Sequence, residues 1–310
     1  MRIISFIFPG QGSQYVGMGK SLYENYESAR CIFDKAEDIL GFALKTLCFD
    51  GSGEDILKTD ICQPAILTCS TAAMAVLKDD YGIIPSFCGG LSLGEYSGLV
   101  CSGALLFEDA LSLVQKRGRF MQEACEETEG TMASVIGSDE NKVNEFVREA
   151  ACEGVISVAN MNCPGQIVIS GEKKAVYKAV ELAKAAGIRK IIELKVAGAY
   201  HSPLMESAKS KLRKELETVV IKRPSVKCAS NVLGTFYSET DDIKDLLSDQ
   251  VTSPVLWQKC VESIIKEKCD LFFEPGCGRV LTGLMKRIDT SKTCIVIEKK
   301  EDLESLKTGV

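Results

Sequence analysis

Short apolar runs alternate with amphipathic stretches along most of the chain. Runs typical of buried strands lie at residues 3–8, 226–230, 270–274 and 293–297. Stretches with helical spacing lie at residues 28–40, 63–79, 107–123, 204–218 and 255–266. Strands that alternate with helices are typical of a mostly parallel sheet flanked by helices. The pattern therefore predicts an α/β fold with a hydrolase-like sheet.

The middle of the chain follows a different order. The pattern there predicts strands at 131–136, 155–160, 166–170 and 190–196, and helices at 139–151 and 174–186. The order β-α-β-β-α-β is ferredoxin-like. We therefore divide the chain into a large domain, residues 1–128 and 198–310, and an inserted ferredoxin-like subdomain, residues 129–197. The cleft between them is the expected substrate site.

Composition narrows the class of protein. The 310 residues are 45% hydrophobic and 26% charged, which suits a globular protein with a full core. A net charge of −6 argues against a nucleic-acid partner. No apolar run approaches the roughly 20 residues of a membrane span, and the N-terminus lacks the cleavage site of a signal peptide. We expect a cytoplasmic protein without a membrane partner, with its 14 cysteines reduced.

The segment Gly90-Leu91-Ser92-Leu93-Gly94 has the form G-x-S-x-G. An apolar run at 83–89 precedes it, and residues 95–100 can begin a helix. Strand, sharp turn and helix form the context of a nucleophile elbow. The motif alone is weak, because a glycine-rich turn can hold an incidental serine. A serine hydroxyl is a nucleophile only if a base reaches it.

His201 is the only histidine in the sequence, so it is the only imidazole base available to Ser92. It follows the apolar run 191–196 and precedes Pro203, which predicts a loop at the end of a strand. Catalytic groups favour loops carried by a rigid scaffold. A lone loop histidine without a role remains the alternative, and the combination with Ser92 favours a catalytic pair. One histidine cannot complete a Cys/His zinc pattern, so we expect no metal.

Two further features bear on chemistry. A glycine-rich segment at 9–14 follows the first strand, but Gln14 stands where a phosphate-binding Walker loop needs glycine. Free backbone N–H groups in such a turn can instead stabilise an oxyanion. On a helical wheel, Arg117 lies roughly 70° from the centre of the apolar stripe of helix 107–123. It is therefore the basic residue of that helix that points inward, unless it snorkels to the surface.

Taken together, these features resemble the malonyl-CoA:acyl-carrier-protein transacylase family, nearly over the whole chain. The motifs that carry the resemblance are residues 8–14, 63–65, 90–96, 115–118, 160–166, 201–203 and Gln250. Several motifs in one order are far more specific than the elbow alone. One position departs from the family, which often has histidine where this chain has Leu91. Any role for that neighbour is thereby in doubt, but the Ser92–His201 pair is unaffected.

The resemblance implies roles for particular residues. Ser92 would be acylated, His201 would be the general base, and the main-chain carbonyl of Gln250 would orient the base. The backbone N–H groups of Gln11 and Leu93 would form the oxyanion hole. The residues implied in substrate binding are Arg117, which would hold the free malonyl carboxylate, and Gln63, Asn160, Asn162 and Tyr200.

The resemblance also implies an activity and partners. The chain would transfer a malonyl group from malonyl-CoA to the thiol of acyl carrier protein for fatty acid synthesis, without a cofactor and as a monomer. Alternatives are a discrete polyketide-type acyltransferase, a serine esterase or thioesterase with the same elbow, and a non-catalytic binding protein. Because carrier proteins of this pathway are acidic, docking needs a basic patch on this chain. Candidates for that patch are Lys184, Arg189, Lys190, Lys286 and Arg287.

Overall fold

The structure, a computed structural model, describes residues 2–306. The strands are β1 (Ile4–Phe8), β2 (Phe87–Gly90), β3 (Gly130–Ile136), β4 (Ile156–Cys163), β5 (Gln166–Glu172), β6 (Lys190–Glu193), β7 (Lys227–Ser230), β8 (Thr235–Phe236), β9 (Leu271–Pro275) and β10 (Thr293–Ile297). The helices are α1 (Lys20–Asn25), α2 (Glu27–Leu40), α3 (Leu44–Asp50), α4 (Thr59–Ala75), α5 (Gly94–Cys101), α6 (Phe107–Glu127), α7 (Glu140–Ala150), α8 (Lys173–Ala185), α9 (Glu206–Leu216), α10 (Ile243–Asp249), α11 (Trp257–Lys266), α12 (Val280–Ile288) and α13 (Lys300–Leu306).

The larger sheet has six strands in the order β10-β9-β1-β2-β7-β8. Every neighbouring pair is parallel except β7–β8 at the edge. Phe6, Ile7 and Phe8 of the central strand β1 are fully buried, which is typical of a parallel strand covered on both faces. The predicted α/β fold with a mostly parallel sheet is confirmed, and the carboxyl ends of β1, β2 and β7 meet at one edge.

The smaller sheet has four antiparallel strands in the order β4-β5-β3-β6. With α7 between β3 and β4 and α8 between β5 and β6, this is the predicted ferredoxin-like order. Its helices and strands share a separate apolar core around Val135 and Phe146. The regular elements run from Gly130 to Glu193. The division of the chain at residues 129 and 197 remains a prediction.

Backbone hydrogen bonds join the two parts of the molecule. The amide of Val255 donates to the carbonyl of Ala159 at 2.8 Å, and the amide of Met161 donates to the carbonyl of Val255 at 2.9 Å. Strand β4 is thereby attached to the segment that follows α10. The inserted subdomain consequently forms one wall beside the carboxyl edge of the parallel sheet.

Two elements differ from the sequence pattern. Helix α4 begins at Thr59, and a π-helical turn extends it to Asp80. This stretch is long and apolar enough to span a membrane by length and composition, but 89% of its most apolar window is buried inside the fold, as in a core helix. Strand β6 ends at Glu193, so His201 lies on a longer loop than the pattern predicted.

Candidate active site

The turn around Ser92 joins β2 to α5 at the carboxyl edge of the parallel sheet. Ser92 has a φ of 53°, a conformation that residues other than glycine rarely adopt. A Cβ atom on Gly90 would lie 2.0 Å from the carbonyl oxygen of Gly94, and one on Gly94 would lie 2.1 Å from that of Phe8. Both motif positions therefore require glycine, and the turn has the form of a nucleophile elbow.

His201 is brought to Ser92 although 109 residues separate them in the chain. Its Nε2 atom lies 2.8 Å from Ser92 Oγ, and its Nδ1 atom lies 2.7 Å from the main-chain oxygen of Gln250. A carbonyl oxygen can only accept, so Nδ1 carries the ring proton and Nε2 is free to accept one. The geometry thus has the form of a base ready to deprotonate the Ser92 hydroxyl.

The protonation of His201 follows from its surroundings. Burial and the nearby positive charge of Arg117 lower the pKa of His201 to about 4, and the hydrogen bond to Gln250 only partly opposes them. The imidazole is therefore neutral at pH 7, which is the state that a general base requires.

Arg117 is fully buried beside Ser92, as the helical wheel predicted. Its guanidinium donates to Gln63 Oε1 at 2.8 Å, to Gln250 Oε1 at 3.0 Å and to Ser92 Oγ at 3.1 Å. Its Nε atom is buried without a partner among residues 2–306. All of these acceptors are neutral, and within residues 2–306 no carboxylate pairs directly with the guanidinium, although the charge of nearby Glu95 acts on it through space. A site of this kind is suited to a ligand that carries a carboxylate.

The loop after β1 is pressed against the elbow. The amide of Leu91 donates to the carbonyl of Phe8 at 3.1 Å, and a Cβ atom on Gly10 would lie 2.3 Å from the carbonyl oxygen of Leu91. Within residues 2–306, the backbone N–H groups of Gln11 and Leu93 have no intramolecular acceptor. Two unpaired amides on adjoining turns beside Ser92 suit the stabilisation of an oxyanion.

The remaining predicted residues lie farther from the hydroxyl. The Tyr200 hydroxyl lies 3.0 Å from Thr59 Oγ1, and burial raises the pKa of Tyr200 to about 12, so it is neutral. Asn160 is buried on β4, and Asn162 has a buried Oδ1 atom without a partner in the described part of the chain. Neither asparagine side chain hydrogen-bonds to Ser92 or His201, so they belong to the wall contributed by the subdomain.

Sequence reasoning missed three polar residues behind the elbow, namely Glu95, Asn231 and Tyr237. Asn231 Oδ1 accepts the backbone N–H of Ser92 at 2.6 Å, and Glu95 accepts hydrogen bonds from Asn231 and Tyr237. A signal was available for Asn231, because it directly follows β7 and β7 lies next to β2 in the sheet. Glu95 lies in the segment 90–96 that carries the resemblance, but nothing in the sequence assigned it a role of its own.

Comparisons with known proteins agree with this site. Residues 5–286 match the family model described as the acyl transferase domain. The chain is 43% identical to the malonyl CoA-acyl carrier protein transacylase of Bacillus subtilis (strain 168), over 98% of this chain and 96% of the relative. It is similar to the crystal structure of the enzyme of that name from Clostridium perfringens, with a TM-score of 0.94, 40% identity, and coverage of 99% and 96%.

A third similarity concerns a complex. The chain matches, with a TM-score of 0.94, 37% identity and 98% coverage of both chains, the structure of a type II PKS acyl-carrier protein with its malonyl-transacylase. Both partners named there are proteins of acyl-group transfer. The matches cover nearly the whole chain, including both sheets.

Proposed function

Because this chain belongs to the acyl transferase domain family, we propose that it transfers a malonyl group from malonyl-CoA to the phosphopantetheine thiol of acyl carrier protein, for fatty acid synthesis in the cytoplasm. The observation that carries the proposal is the buried guanidinium of Arg117, 3.1 Å from the candidate nucleophile. It supplies a cation where a free carboxylate on the acyl group would lie. The names of the relatives support the same substrate and carrier.

In the first half-reaction, Ser92 Oγ attacks the thioester carbonyl while its proton passes to His201 Nε2. The C–S bond breaks, the proton moves to the departing sulfur, and CoA leaves a malonyl-serine. In the second half-reaction, His201 takes the proton of the carrier thiol and the thiolate attacks the carbonyl of the serine ester. The C–O bond to Ser92 Oγ breaks, and His201 returns the proton to that oxygen. Such general acid–base transfer contributes about 10²–10⁴-fold to the rate.

The tetrahedral intermediate of each half-reaction carries an oxyanion. We assign its stabilisation to the N–H groups of Gln11 and Leu93, since both lack an acceptor in the described residues. A single donor of this kind is worth about 3–4 kcal/mol in the transition state. The donors belong to the backbone and are held by tight packing at Gly10, so they need no rearrangement during the reaction.

We assign the recognition of the malonyl carboxylate to Arg117. A planar guanidinium pairs with a carboxylate through two parallel hydrogen bonds, which a lysine ammonium cannot reproduce. Gln63 and Gln250 hold the guanidinium through their side-chain oxygens before substrate arrives. The buried site also limits water, which would otherwise hydrolyse the malonyl-serine.

The proposal includes no cofactor and no metal, because the nucleophile, base and oxyanion donors are all groups of the chain itself. We propose a monomer with no nucleic-acid or membrane partner. Within residues 2–306, no cluster of three or more histidine, cysteine, aspartate or glutamate side chains could hold a metal ion. The carrier protein is the one macromolecular partner that the proposal requires.

The orienting group of the base bears on the hydrolase alternative. Serine esterases of similar fold orient their histidine with a carboxylate. Here the group that accepts from His201 Nδ1 is a main-chain carbonyl, that of Gln250, which argues against the hydrolase alternative.

The alternative of a polyketide-type acyltransferase is supported by one structural neighbour, the complex of a type II PKS acyl-carrier protein with its malonyl-transacylase. Comparison of malonyl transfer to a fatty acid carrier and to a polyketide carrier separates these two assignments.

The proposal is tested by intact-mass analysis after incubation with malonyl-CoA. We expect one malonyl adduct on the wild-type chain and none on Ser92→Ala. Ser97→Ala is the matched control, because Ser97 is a buried serine on the neighbouring helix α5 without a hydrogen bond to His201, and its loss should leave the adduct in place. An adduct that persists in Ser92→Ala would refute the proposed nucleophile.

A further inference from the structure

The backbone at Ser92 is strained, so neighbouring groups must stabilise its conformation. A φ of 53° is unfavourable at a residue with a side chain, so it persists only where its surroundings fix it. The network behind the elbow provides that constraint. It consists of Glu95, Asn231, Tyr237 and the side chain of Gln250, and it is called the Glu95 network below.

Asn231 holds the elbow on the amino side of the strained residue through two hydrogen bonds. Its Oδ1 atom accepts the N–H of Ser92 at 2.6 Å, and its Nδ2 atom donates to the carbonyl of Gly90 at 2.8 Å. Asn231 is fully buried, so water does not compete for these groups. The peptide on the amino side of the nucleophile is thereby fixed.

Gln250 holds the other side of the same residue. Its Nε2 atom donates to the carbonyl of Ser92 at 3.0 Å, while its main-chain oxygen accepts from His201 Nδ1 at 2.7 Å. One residue therefore determines the position of both the nucleophile's peptide and the base. A small rotation of Gln250 would change the distance between Ser92 Oγ and His201 Nε2.

Glu95 is the group that Asn231 and Gln250 have in common. Its buried carboxylate accepts the N–H of Asn231 at 3.2 Å and also accepts from Gln250 Nε2 and the Tyr237 hydroxyl. Burial raises the pKa of Glu95 to about 7, and the hydrogen bonds from its neighbours oppose that shift. The amide groups can only donate here, so the ionised carboxylate is the form that satisfies them.

From this arrangement we propose that Glu95 is a positioning residue for acyl transfer, which through Asn231 and Gln250 holds the peptide of Ser92 and the acceptor of His201 in one frame. The inference rests on Ser92 and His201 as the proposed nucleophile and base. Glu95 does not contact the reacting atoms itself. Its effect on the rate would be exerted through the alignment of Ser92 Oγ with His201 Nε2.

A second buried carboxylate in the molecule provides the matched control. Glu274 on β9 is as buried as Glu95, and its two oxygens accept the backbone N–H groups of Leu281 and Thr282 at 2.8 and 2.7 Å. It caps α12 and contacts neither Ser92 nor His201. Glu95→Gln and Glu274→Gln are thus the same chemical change, one inside the Glu95 network and one outside it.

The test compares the two variants in malonyl transfer and in the rate at which phenylmethanesulfonyl fluoride, a neutral reagent, modifies Ser92. Because this reagent carries no carboxylate, its rate of reaction reports on the reactivity of Ser92 and His201 and does not depend on carboxylate binding by Arg117. We expect Glu95→Gln to lower kcat and sulfonylation together by about tenfold or more, with KM for malonyl-CoA changed less than about threefold. Glu274→Gln should keep both rates within about twofold of wild type, even if both variants lose thermal stability.

Rates of folded Glu95→Gln that match those of Glu274→Gln would overturn the positioning role. Should Glu95→Gln fail to fold, Tyr237→Phe removes one donor to Glu95 and keeps the ring; we expect about a threefold loss in both rates, and unchanged rates would equally overturn the role. Transfer retained by Ser92→Ala would instead refute the nucleophile. The two failures are therefore distinguishable.

Discussion

The parallel and antiparallel sheets differ in the backbone conformation of the residues around them. Two residues with side chains and positive φ, Ser92 and His201, lie at the carboxyl edge of the parallel sheet. Among the described residues, Lys268 is the only other one, and the antiparallel subdomain has none. Strained backbone is concentrated where surroundings can hold it, and it is a feature of functional sites. The comparison assigns the chemistry to the parallel sheet and a wall to the subdomain.

Charges are distributed in the same way. Arg117 and Glu95 are buried at the parallel sheet, whereas ion pairs of the subdomain, such as Lys178–Glu181, lie in water. Exposed pairs of this kind contribute on the order of 0–1 kcal/mol each. Burial of a charge has a large desolvation penalty, and buried charged groups are concentrated at functional sites. Substitutions at the parallel sheet should therefore lower the rate of acyl transfer, whereas substitutions on the subdomain side should weaken binding of the carrier protein.

The largest effect is expected for His201→Gln. Glutamine fills part of the ring's volume but cannot accept and return a proton, so malonyl transfer should fall by about 10²–10⁴-fold. Single-turnover acylation measured by intact mass checks this. A variant that retains transfer within tenfold of wild type would remove the base from the mechanism and weaken the contrast between the sheets.

The same variant has a signature in stability. Between pH 6.5 and 4, the unfolded chain protonates His201 while the folded chain keeps it neutral, because the folded pKa is lowered to about 4. His201 should therefore contribute a fall in the free energy of unfolding as pH decreases through this window, while Glu95, whose pKa is raised to about 7, contributes in the opposite direction in both proteins. His201→Gln should lose that part of the pH dependence, as measured by urea unfolding at pH 7 and pH 4.5. An identical slope in both proteins would contradict the lowered pKa.

The next largest effect is expected for Gly10→Ala. The new methyl would meet the carbonyl of Leu91 at 2.3 Å, so the loop that carries the N–H of Gln11 must move away from the elbow. Loss of one oxyanion donor costs about 10²–10³-fold in kcat. Gly283→Ala on α12 is the control, because its Cβ would meet nothing within 4 Å. Equal kcat for both variants would argue against an oxyanion donor in this loop.

A smaller change is expected for Arg117→Lys. Lysine keeps the charge but loses the planar pair of donors, so the preference for malonyl-CoA over acetyl-CoA should fall by about tenfold. The measurement is acylation of Ser92 by each thioester in direct competition. An unchanged ratio would mean that Arg117 does not contact the carboxylate, although it lies beside Ser92.

The smallest effect is expected on the subdomain side. Arg287 donates to Gln166 Oε1 at 2.6 Å and to the carbonyl of Pro164 at 3.1 Å, which links α12 to the turn between β4 and β5. Arg287→Ala should raise KM for the carrier protein about threefold at most and leave acylation by malonyl-CoA unchanged. Arg148→Ala, on the exposed face of α7, is the control. A large fall in acylation would show that this wall takes part in the first half-reaction.

Much of this organisation was predictable from the sequence. Short apolar runs that alternate with stretches of helical spacing predicted both sheets, and the glycines around Ser92 predicted the elbow. The single histidine left His201 as the only imidazole partner, and a helical wheel directed Arg117 inward. Each of these features depends on neighbouring residues in the sequence or on the number of residues of one type. They can therefore be predicted without knowledge of how distant segments meet.

The Glu95 network was not predictable in the same way. Its members come from α5, from the residues after β7 and β8, and from the end of α10. Their shared position depends on the order of strands in the sheet, which the pattern of apolar residues does not contain. Asn231 alone could have been proposed, from its place directly after a strand, once β7 was known to lie beside β2.

The solitary imidazole of this sequence has a practical consequence. Isotopic nitrogen introduced through histidine alone would give one pair of ring signals in a magnetic resonance spectrum, and both would come from His201. Their chemical shifts identify which nitrogen holds the proton. Acylation by malonyl-CoA and release to the carrier could then be followed in the unaltered protein, through a reporter that the chain already contains.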